Sequence, residues 1–206
     1  MPTKSISSQI VIPSLSKTRM LVPLIGTAPL IVHKWSVKAK RQMLDSQQGK
    51  KKAKEAKDPQ ADYEASLYRT ADGGYGFPVI AFKAATVRGA KLAGVKMTDA
   101  RQLFFVHGDP SDDNTQEMAP ISGEPTMRED MVRVGMGTSD IRYRGEFREW
   151  RTVLSVEFYD AFISQDSLLS LINFGGESVG VGEWRPEKNG QMGTYCIDTD
   201  AEIQVM

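Results

Sequence analysis

Cysteine and histidine are scarce in this sequence of 206 residues, which contains only Cys196, His33 and His107. A single cysteine excludes a disulfide within the chain and a zinc site built on cysteines. Neither histidine has a second histidine or a cysteine at metal-ligand spacing, so we predict no metal site and no cofactor. The patterns Gly-x-Ser-x-Gly and Gly-Lys-Ser/Thr are also missing, so no motif of these kinds indicates an enzyme.

Net charge and long apolar runs are missing as well. The formal charge at pH 7 is zero, so nucleic-acid binding requires local clusters of basic residues. No segment approaches the ~20 apolar residues of a membrane-spanning helix, and residues 1–16 lack the apolar core of a secretory signal. With 40% hydrophobic and 25% charged residues, the composition predicts a globular cytoplasmic protein without a membrane partner.

The order of the predicted elements indicates the α+β class. Alternating apolar residues predict a half-buried strand at 152–158, and helical spacing predicts a helix at 81–92. Strands at 118–122 and 126–134 flank a Gly-Glu-Pro turn, which predicts a hairpin. We therefore expect a ferredoxin-like or RRM-like antiparallel sheet with helices on one face and a helical insertion.

The chain contains no internal repeat and no long linker, so we predict one RRM-like domain over 1–206. Three parts depart from its core. Residues 1–17 are polar and form an N-terminal arm, residues 42–70 form a basic insertion of the finger or thumb kind, and residues 107–150 form a hairpin insertion.

Lysines are concentrated between residues 34 and 57, where nine basic residues stand against two acidic ones. The local net charge of +7 is typical of a finger that follows phosphates, and equally of a solvent-exposed lysine-rich helix. The candidate nucleic-acid contacts in this segment are Lys34, Lys38, Lys50, Lys51, Lys52 and Lys54.

A second basic stretch, 127–151, interleaves arginines with aromatic residues. Arginine binds phosphate through a planar fork, and aromatic rings stack on unpaired bases, so Arg142 and Arg144 are candidate contacts. Acidic residues share the stretch, and internal salt bridges between the two kinds of side chain are an equally good interpretation.

His33 follows the first apolar segment and stands beside Lys34. A histidine at this place could act as the general base that takes the proton of an RNA 2′-hydroxyl. The simpler interpretation, which we prefer, is a polar residue at the end of a strand.

Glycine is concentrated near the end of the chain, where four glycines fall within residues 175–182 and Trp184 and Arg185 follow. Glycine permits positive φ angles and lets another backbone approach closely. The stretch therefore predicts a loop against which a bound strand or a neighbouring subunit lies.

Two segments together resemble a known family. Residues 77–88, Phe-Pro-Val-Ile-Ala-Phe-Lys-Ala-Ala-Thr-Val-Arg, resemble a Pro-rich helix start with a Phe-Lys pair and a following Arg in the RAMP superfamily. These are the RRM-like proteins that form the backbone of CRISPR effector complexes. The glycine loop at 175–190 is similar to the C-terminal glycine loop of the same superfamily, and the whole chain resembles a phage-encoded branch.

The resemblance implies a modified RRM core with a basic finger and side-by-side assembly into a filament along a single strand. By this resemblance Lys83 and Arg88 contact phosphate, and the backbone of Gly180 and Gly182 approaches the strand. Glu177 and Glu183 depart from the pattern, because carboxylates repel phosphate.

We therefore expect a non-enzymatic protein that binds single-stranded RNA or DNA without regard to sequence and self-associates into an oligomer or filament. Its nucleic-acid site would also include Trp184 and Arg185, and its location would be the host cytoplasm if a phage encodes it. Two alternatives stay open: a metal-independent endoribonuclease that uses His33, and a phage virion or assembly protein that uses the fold only for subunit contacts.

Overall fold

A computed structural model describes residues 14–35, 41, 43–45, 47–49, 56–133, 137 and 139–206. The predicted N-terminal arm lies outside these residues up to position 13. Five predicted contacts of the basic segment 34–57 also lie outside them, namely Lys38, Lys50, Lys51, Lys52 and Lys54.

The structure combines strands and helices. The strands are β1 (Lys17–Gly26), β2 (Leu30–Val32), β3 (Gly76–Pro78), β4 (Phe104–His107), β5 (Asp109–Pro110), β6 (Glu117–Ser122), β7 (Pro125–Arg133), β8 (Ser139–Phe147), β9 (Arg151–Tyr159), β10 (Tyr195–Ile197) and β11 (Gln204–Val205). The helices with described bounds are α1 (Pro59–Ser66), α2 (Val79–Gly89), α3 (Met97–Leu103) and α4 (Gln165–Ser178), followed by a 3₁₀ turn, Pro186–Lys188.

The large sheet is antiparallel at every pairing between its described strands. Its path runs β10–β1–β9–β6–β3, and β4 pairs with β9 beside β6. Strands β10, β1, β9 and β4, with helices α2 and α4 between them in sequence, have the order of a split βαβ unit. The predicted α+β class with an antiparallel sheet of ferredoxin-like type is confirmed.

The core lies on the side of the sheet that packs against α2 and α4. The predicted alternation in β9 is confirmed, because Thr152, Leu154, Val156 and Phe158 are buried while the residues between them are not. The other large buried side chains of this core include Met20, Val22 and Leu24 of β1, Phe82 of α2, and Leu168 and Ile172 of α4. Each such side chain contributes about 1.5–3 kcal/mol when it is fully buried.

Two of the four clustered glycines belong to a helix, which corrects the predicted glycine loop. Gly175 and Gly176 lie inside α4, where glycine costs about 1 kcal/mol relative to alanine. A Cβ atom on Gly175 would lie 2.6 Å from the Cα of Thr86, and one on Gly176 would lie 2.1 Å from the carbonyl oxygen of Tyr195. The glycines therefore serve close packing of α4 against α2 and β10.

The predicted hairpin between 118–122 and 126–134 is wrong in its pairing. Strand β6 pairs with β3, β5 and β9 in the large sheet, whereas β7 pairs with β8 in a second sheet of order β2–β8–β7. Gly123, with a φ of +138°, marks the point where the chain passes from one sheet to the other. A Gly-Glu-Pro turn can join two paired strands of a hairpin or two strands of different sheets. The local sequence therefore does not show whether β6 pairs with β7.

The described end of the basic insertion is helical, in agreement with the expected helical insertion. Asp58 caps α1 by accepting a hydrogen bond from the N–H of Ala61 at 3.1 Å. Helix α1 packs on β8, where the N–H of Gly145 donates to the Ser66 hydroxyl oxygen at 3.0 Å. This contact ties the insertion to the second sheet.

Candidate functional site

A pocket of about 210 Å³ opens between α2, the residue that follows β2 and the loop that follows α4. Its walls include five residues that the sequence predicted for a functional site: His33, Arg88, Gly180, Gly182 and Arg185. These residues come from three distant parts of the chain, so only the fold brings them together. We call this cavity the arginine pocket.

Helix α2 supplies one wall of the arginine pocket. Ala81, Ala84, Ala85 and Arg88 all line the cavity, because residues three and four apart share one face of a helix. Alanine side chains end at Cβ, so this face leaves open space in front of the Arg88 guanidinium. Arg88 lies in the last turn of α2, where a cation also interacts favourably with the helix dipole, by about 0.3–1 kcal/mol.

The second wall is His33, which the chain fixes from both sides. Before it, Val32 pairs with Gly145 of β8. After it, the N–H of Lys34 donates to the carbonyl oxygen of Ser66 at 2.8 Å. These backbone contacts fix the position of the half-buried imidazole directly after β2, at the end of a strand of the second sheet.

The surroundings of His33 keep its imidazole neutral. Burial lowers the pKa of His33 from its ordinary value of 6.5, and the positive charge of Arg144 lowers the pKa further. Glu183 acts in the opposite direction, and Arg142 again lowers the pKa. A neutral imidazole at pH 7 can accept a proton, so His33 has the protonation state that a general base requires.

The third wall is the loop after α4, whose glycines approach the protein's own backbone. Gly180 and Gly182 have φ angles of +68° and +78°, in the left-handed region that favours glycine. A Cβ atom on Gly182 would lie 2.5 Å from the carbonyl oxygen of Ile31, which also accepts a hydrogen bond from the Glu183 N–H at 2.9 Å. The loop is thereby held against β2, and its approach to a bound strand stays a prediction.

Arg88 and Arg185 converge on one carboxylate. The Nε of Arg88 lies 2.9 Å from Oε1 of Glu187, and Nη2 of Arg185 lies 2.9 Å from Oε2. Nη1 of Arg185 also donates to the carbonyl oxygen of Gly182 at 2.9 Å, which fixes the guanidinium. The three side chains together carry a net charge of +1, and the Glu187 carboxylate is the partner of both guanidinium groups.

Trp184 lies on the surface between two residues of the pocket wall. Its side chain is 46% exposed, and its φ of +57° is positive, which is rare for a residue with a side chain. Gly190 makes this backbone possible, because a Cβ atom there would lie 1.7 Å from the carbonyl oxygen of Trp184. The indole ring is thus partly exposed, on the residue that precedes Arg185.

Lys34 and Lys83, two of the predicted phosphate contacts, lie outside the pocket wall. The ammonium group of Lys34 binds Asp112 at 2.7 Å. Lys83 shares α2 with Arg88, but its Nζ lies 4.7 Å from the ring centroid of Phe105. The structure therefore separates these lysines from the Arg88–Arg185 pair.

The arginines of β8 form internal salt bridges, as the second interpretation of that stretch held. Arg144 is buried, with Nη1 donating to Asp130 at 3.0 Å and Nη2 lying 3.7 Å from Glu183. Nε of Arg142 lies 4.0 Å from Asp140. Arg144 therefore does not line the pocket, but its positive charge acts on His33 and Glu183, which do.

Two residues that matter to the pocket were not identified from the sequence. Tyr68 lines the cavity beside Phe77, with ring centroids 5.4 Å apart, and burial raises the pKa of Tyr68. Glu187 joins Arg88 across 99 positions of the chain, and such a long-range pair leaves no local sequence signal. Only the placement of Glu187 two residues after Arg185 could have drawn attention to it.

Among the described residues, no group of three or more His, Cys, Asp or Glu side chains is placed to hold a metal ion. None of the helices in the described part is long and apolar enough to cross a membrane. No protein-family model matches the sequence, and no curated protein matches it, so the resemblance to the RAMP superfamily stays a prediction.

Proposed function

We propose that the protein binds single-stranded nucleic acid without regard to sequence, with one backbone phosphate held by Arg88 and Arg185 in the arginine pocket. The observation that supports this most is the convergence of both guanidinium groups on the carboxylate of Glu187. A phosphodiester carries the same single negative charge and also presents two oxygens to an arginine fork. A phosphate can therefore take the place of the carboxylate at both guanidinium groups, and the charge of the displaced Glu187 carboxylate is then balanced by solvent alone.

The replacement breaks two ion pairs that differ in exposure. The side chain of Arg88 is 46% exposed, and exposed ion pairs contribute about 0–1 kcal/mol. Arg185 and Glu187 are 25% and 24% exposed, so their pair costs more to break, and the phosphate has to offset that cost. The backbone of Glu187 is held by a hydrogen bond from its N–H to the carbonyl oxygen of Val179 at 3.3 Å, so only its side chain has to rotate away from the arginines. The neighbouring Trp184 ring offers a stacking surface for a base, which contributes about 1–3 kcal/mol.

Binding of a labelled single-stranded oligonucleotide against salt concentration tests the proposal. We expect the wild type to bind at ~50 mM salt and to weaken as salt rises, because phosphate contacts release counterions. The double variant Arg88→Gln, Arg185→Gln should bind about tenfold more weakly than the wild type and with a shallower salt dependence.

The matched control removes two exposed arginines elsewhere, Arg101→Gln with Arg148→Gln. This control has the same change in net charge, so it should stay within about threefold of the wild type if only screened long-range attraction is lost. The proposal is wrong if the wild type does not bind, or if the pocket variant and the control lose the same affinity.

A second candidate function is cleavage of RNA, and the place of His33 in the same pocket favours it. A neutral His33 would take the proton of a 2′-hydroxyl as its oxygen attacks the adjacent phosphorus, giving a 2′,3′-cyclic phosphate. Arg88 and Arg185 would stabilise the added charge, and protonated Tyr68 would supply the proton to the departing 5′-oxygen. RNA cleavage that is present in the wild type and lost in His33→Gln supports this candidate, whereas equal cleavage by both proteins, or none by either, removes it.

A further inference from the structure

Three aromatic rings form a cluster away from the arginine pocket, at the edge of the large sheet. The rings of Phe105 and Tyr159 lie with centroids 6.0 Å apart, and those of Tyr159 and Phe162 lie 6.2 Å apart, edge to face in both cases. Phe105 stands on β4, which pairs with β9 and with no other described strand. Phe162 is 57% exposed, so part of one aromatic ring of the group faces solvent. We call this group the edge cluster.

Two lysines border the edge cluster. Nζ of Lys17 lies 5.3 Å from the ring centroid of Phe105 and 5.5 Å from that of Tyr159, and it also binds Glu157 at 2.7 Å. Nζ of Lys83 lies 4.7 Å from the Phe105 centroid and forms no ion pair with a described residue. Burial lowers the pKa of Lys83, so an anion at this place would relieve an unbalanced, partly buried charge.

We infer that the edge cluster is a second binding site, which takes one nucleotide of the same strand; this inference rests on the proposed function. The base stacks on Phe162, and the phosphate binds the ammonium group of Lys83. Stacking on aromatic rings does not depend on sequence, because every base has a flat face. An aromatic surface beside an unpaired cation matches the two parts of a nucleotide better than it matches an apolar partner.

Helix α2 offers a path between the two sites. Arg88 and Lys83 both lie on it, five residues apart, which places their side chains about 140° apart around the helix axis. Ile80 and Ala84 lie between them on the same helix surface, and Ile80 is 64% exposed. A strand that crosses this exposed surface reaches the arginine pocket on one side of α2 and the edge cluster on the other.

Binding of a single-stranded oligonucleotide by Phe162→Ala and by Lys83→Met tests the inference. Each variant should weaken binding about fivefold to tenfold relative to the wild type. Lys83→Met should also reduce the slope of log affinity against log salt by about 0.7, the value for one phosphate of a single strand, and Phe162→Ala should leave that slope unchanged. Phe162→Tyr retains the ring and should restore the affinity.

The controls are Phe174→Ala, an exposed aromatic residue of α4, and Lys91→Met, an exposed lysine just after α2. Urea midpoints equal to that of the wild type confirm that each variant is folded. The inference is overturned if the wild type binds and the two edge variants bind as tightly as their controls, which leaves the proposed function intact. If the wild type binds no strand at all, both the proposed function and this inference fail.

Discussion

Replacing Glu187 with glutamine is expected to strengthen the binding of single-stranded nucleic acid by about tenfold at low salt. The change removes the negative charge that Arg88 and Arg185 share, so the net charge of the three side chains rises from +1 to +2. An incoming phosphate then has no carboxylate to displace and meets two uncompensated guanidinium groups. A tenfold gain corresponds to about 1.4 kcal/mol, which is reasonable for the loss of one competing ion pair.

Equilibrium binding of the labelled oligonucleotide measures this effect, with Glu202→Gln as the control. Glu202 is exposed near the C-terminus and does not line the arginine pocket, so the control makes the same change in net charge elsewhere. The gain should disappear when Glu187→Gln is combined with Arg88→Gln and Arg185→Gln. An equal gain in the control, or no gain at all, would mean that Glu187 does not occupy the place of the phosphate.

Substituting valine for Gly175 is expected to destabilise the fold by about 3 kcal/mol or more. The added Cβ would lie 2.6 Å from both N and Cα of Thr86 and 2.7 Å from the carbonyl carbon of Ala85. These are backbone atoms of α2, so the two helices must move apart, and overpacking of this kind costs about 1–3 kcal/mol or more. The shift would also displace Arg88, two residues further along α2, so binding should fall with stability.

The free energy of unfolding in urea measures this cost, and Ser170→Val on the exposed face of α4 is the control. The control introduces the same side chain into the same helix and should lose less than about 1 kcal/mol. If Gly175→Val is as stable as the control, α2 and α4 do not pack through their glycines.

Local sequence patterns predicted most of the fold. The apolar alternation of β9 and the helical spacing of α2 depend on neighbouring residues only, so they can be read from the chain. The pairing of β7 with β8 could not be predicted in this way, because the glycine turn after β6 does not show which sheet the next strand enters. The place of Gly175 and Gly176 inside α4 was missed for a similar reason, since tight packing between helices overrides the low helix propensity of glycine.

The candidate site was predicted in part. Arg88, Arg185 and the glycines between them in the pocket wall were selected through a resemblance that paired two distant segments, and His33 through its chemistry. Lys34 and Arg144 were selected for their charge alone, and their bonds to Asp112 and Asp130 depend on tertiary contacts that the sequence does not display. The same limitation hid Glu187, which binds both Arg88 and Arg185.

The most direct test of phosphate binding in the arginine pocket is an NMR titration of the His33 ring between pH 5 and pH 8. The chain has only one other histidine, His107, so His107→Gln assigns the signals. Without nucleic acid, the pKa of His33 should lie below its ordinary value of 6.5 because of burial and the charge of Arg144. A bound phosphate adds negative charge to the pocket and should raise this pKa, and Arg88→Gln with Arg185→Gln should abolish the rise. A strand that binds while the pKa of His33 stays unchanged would contradict the account.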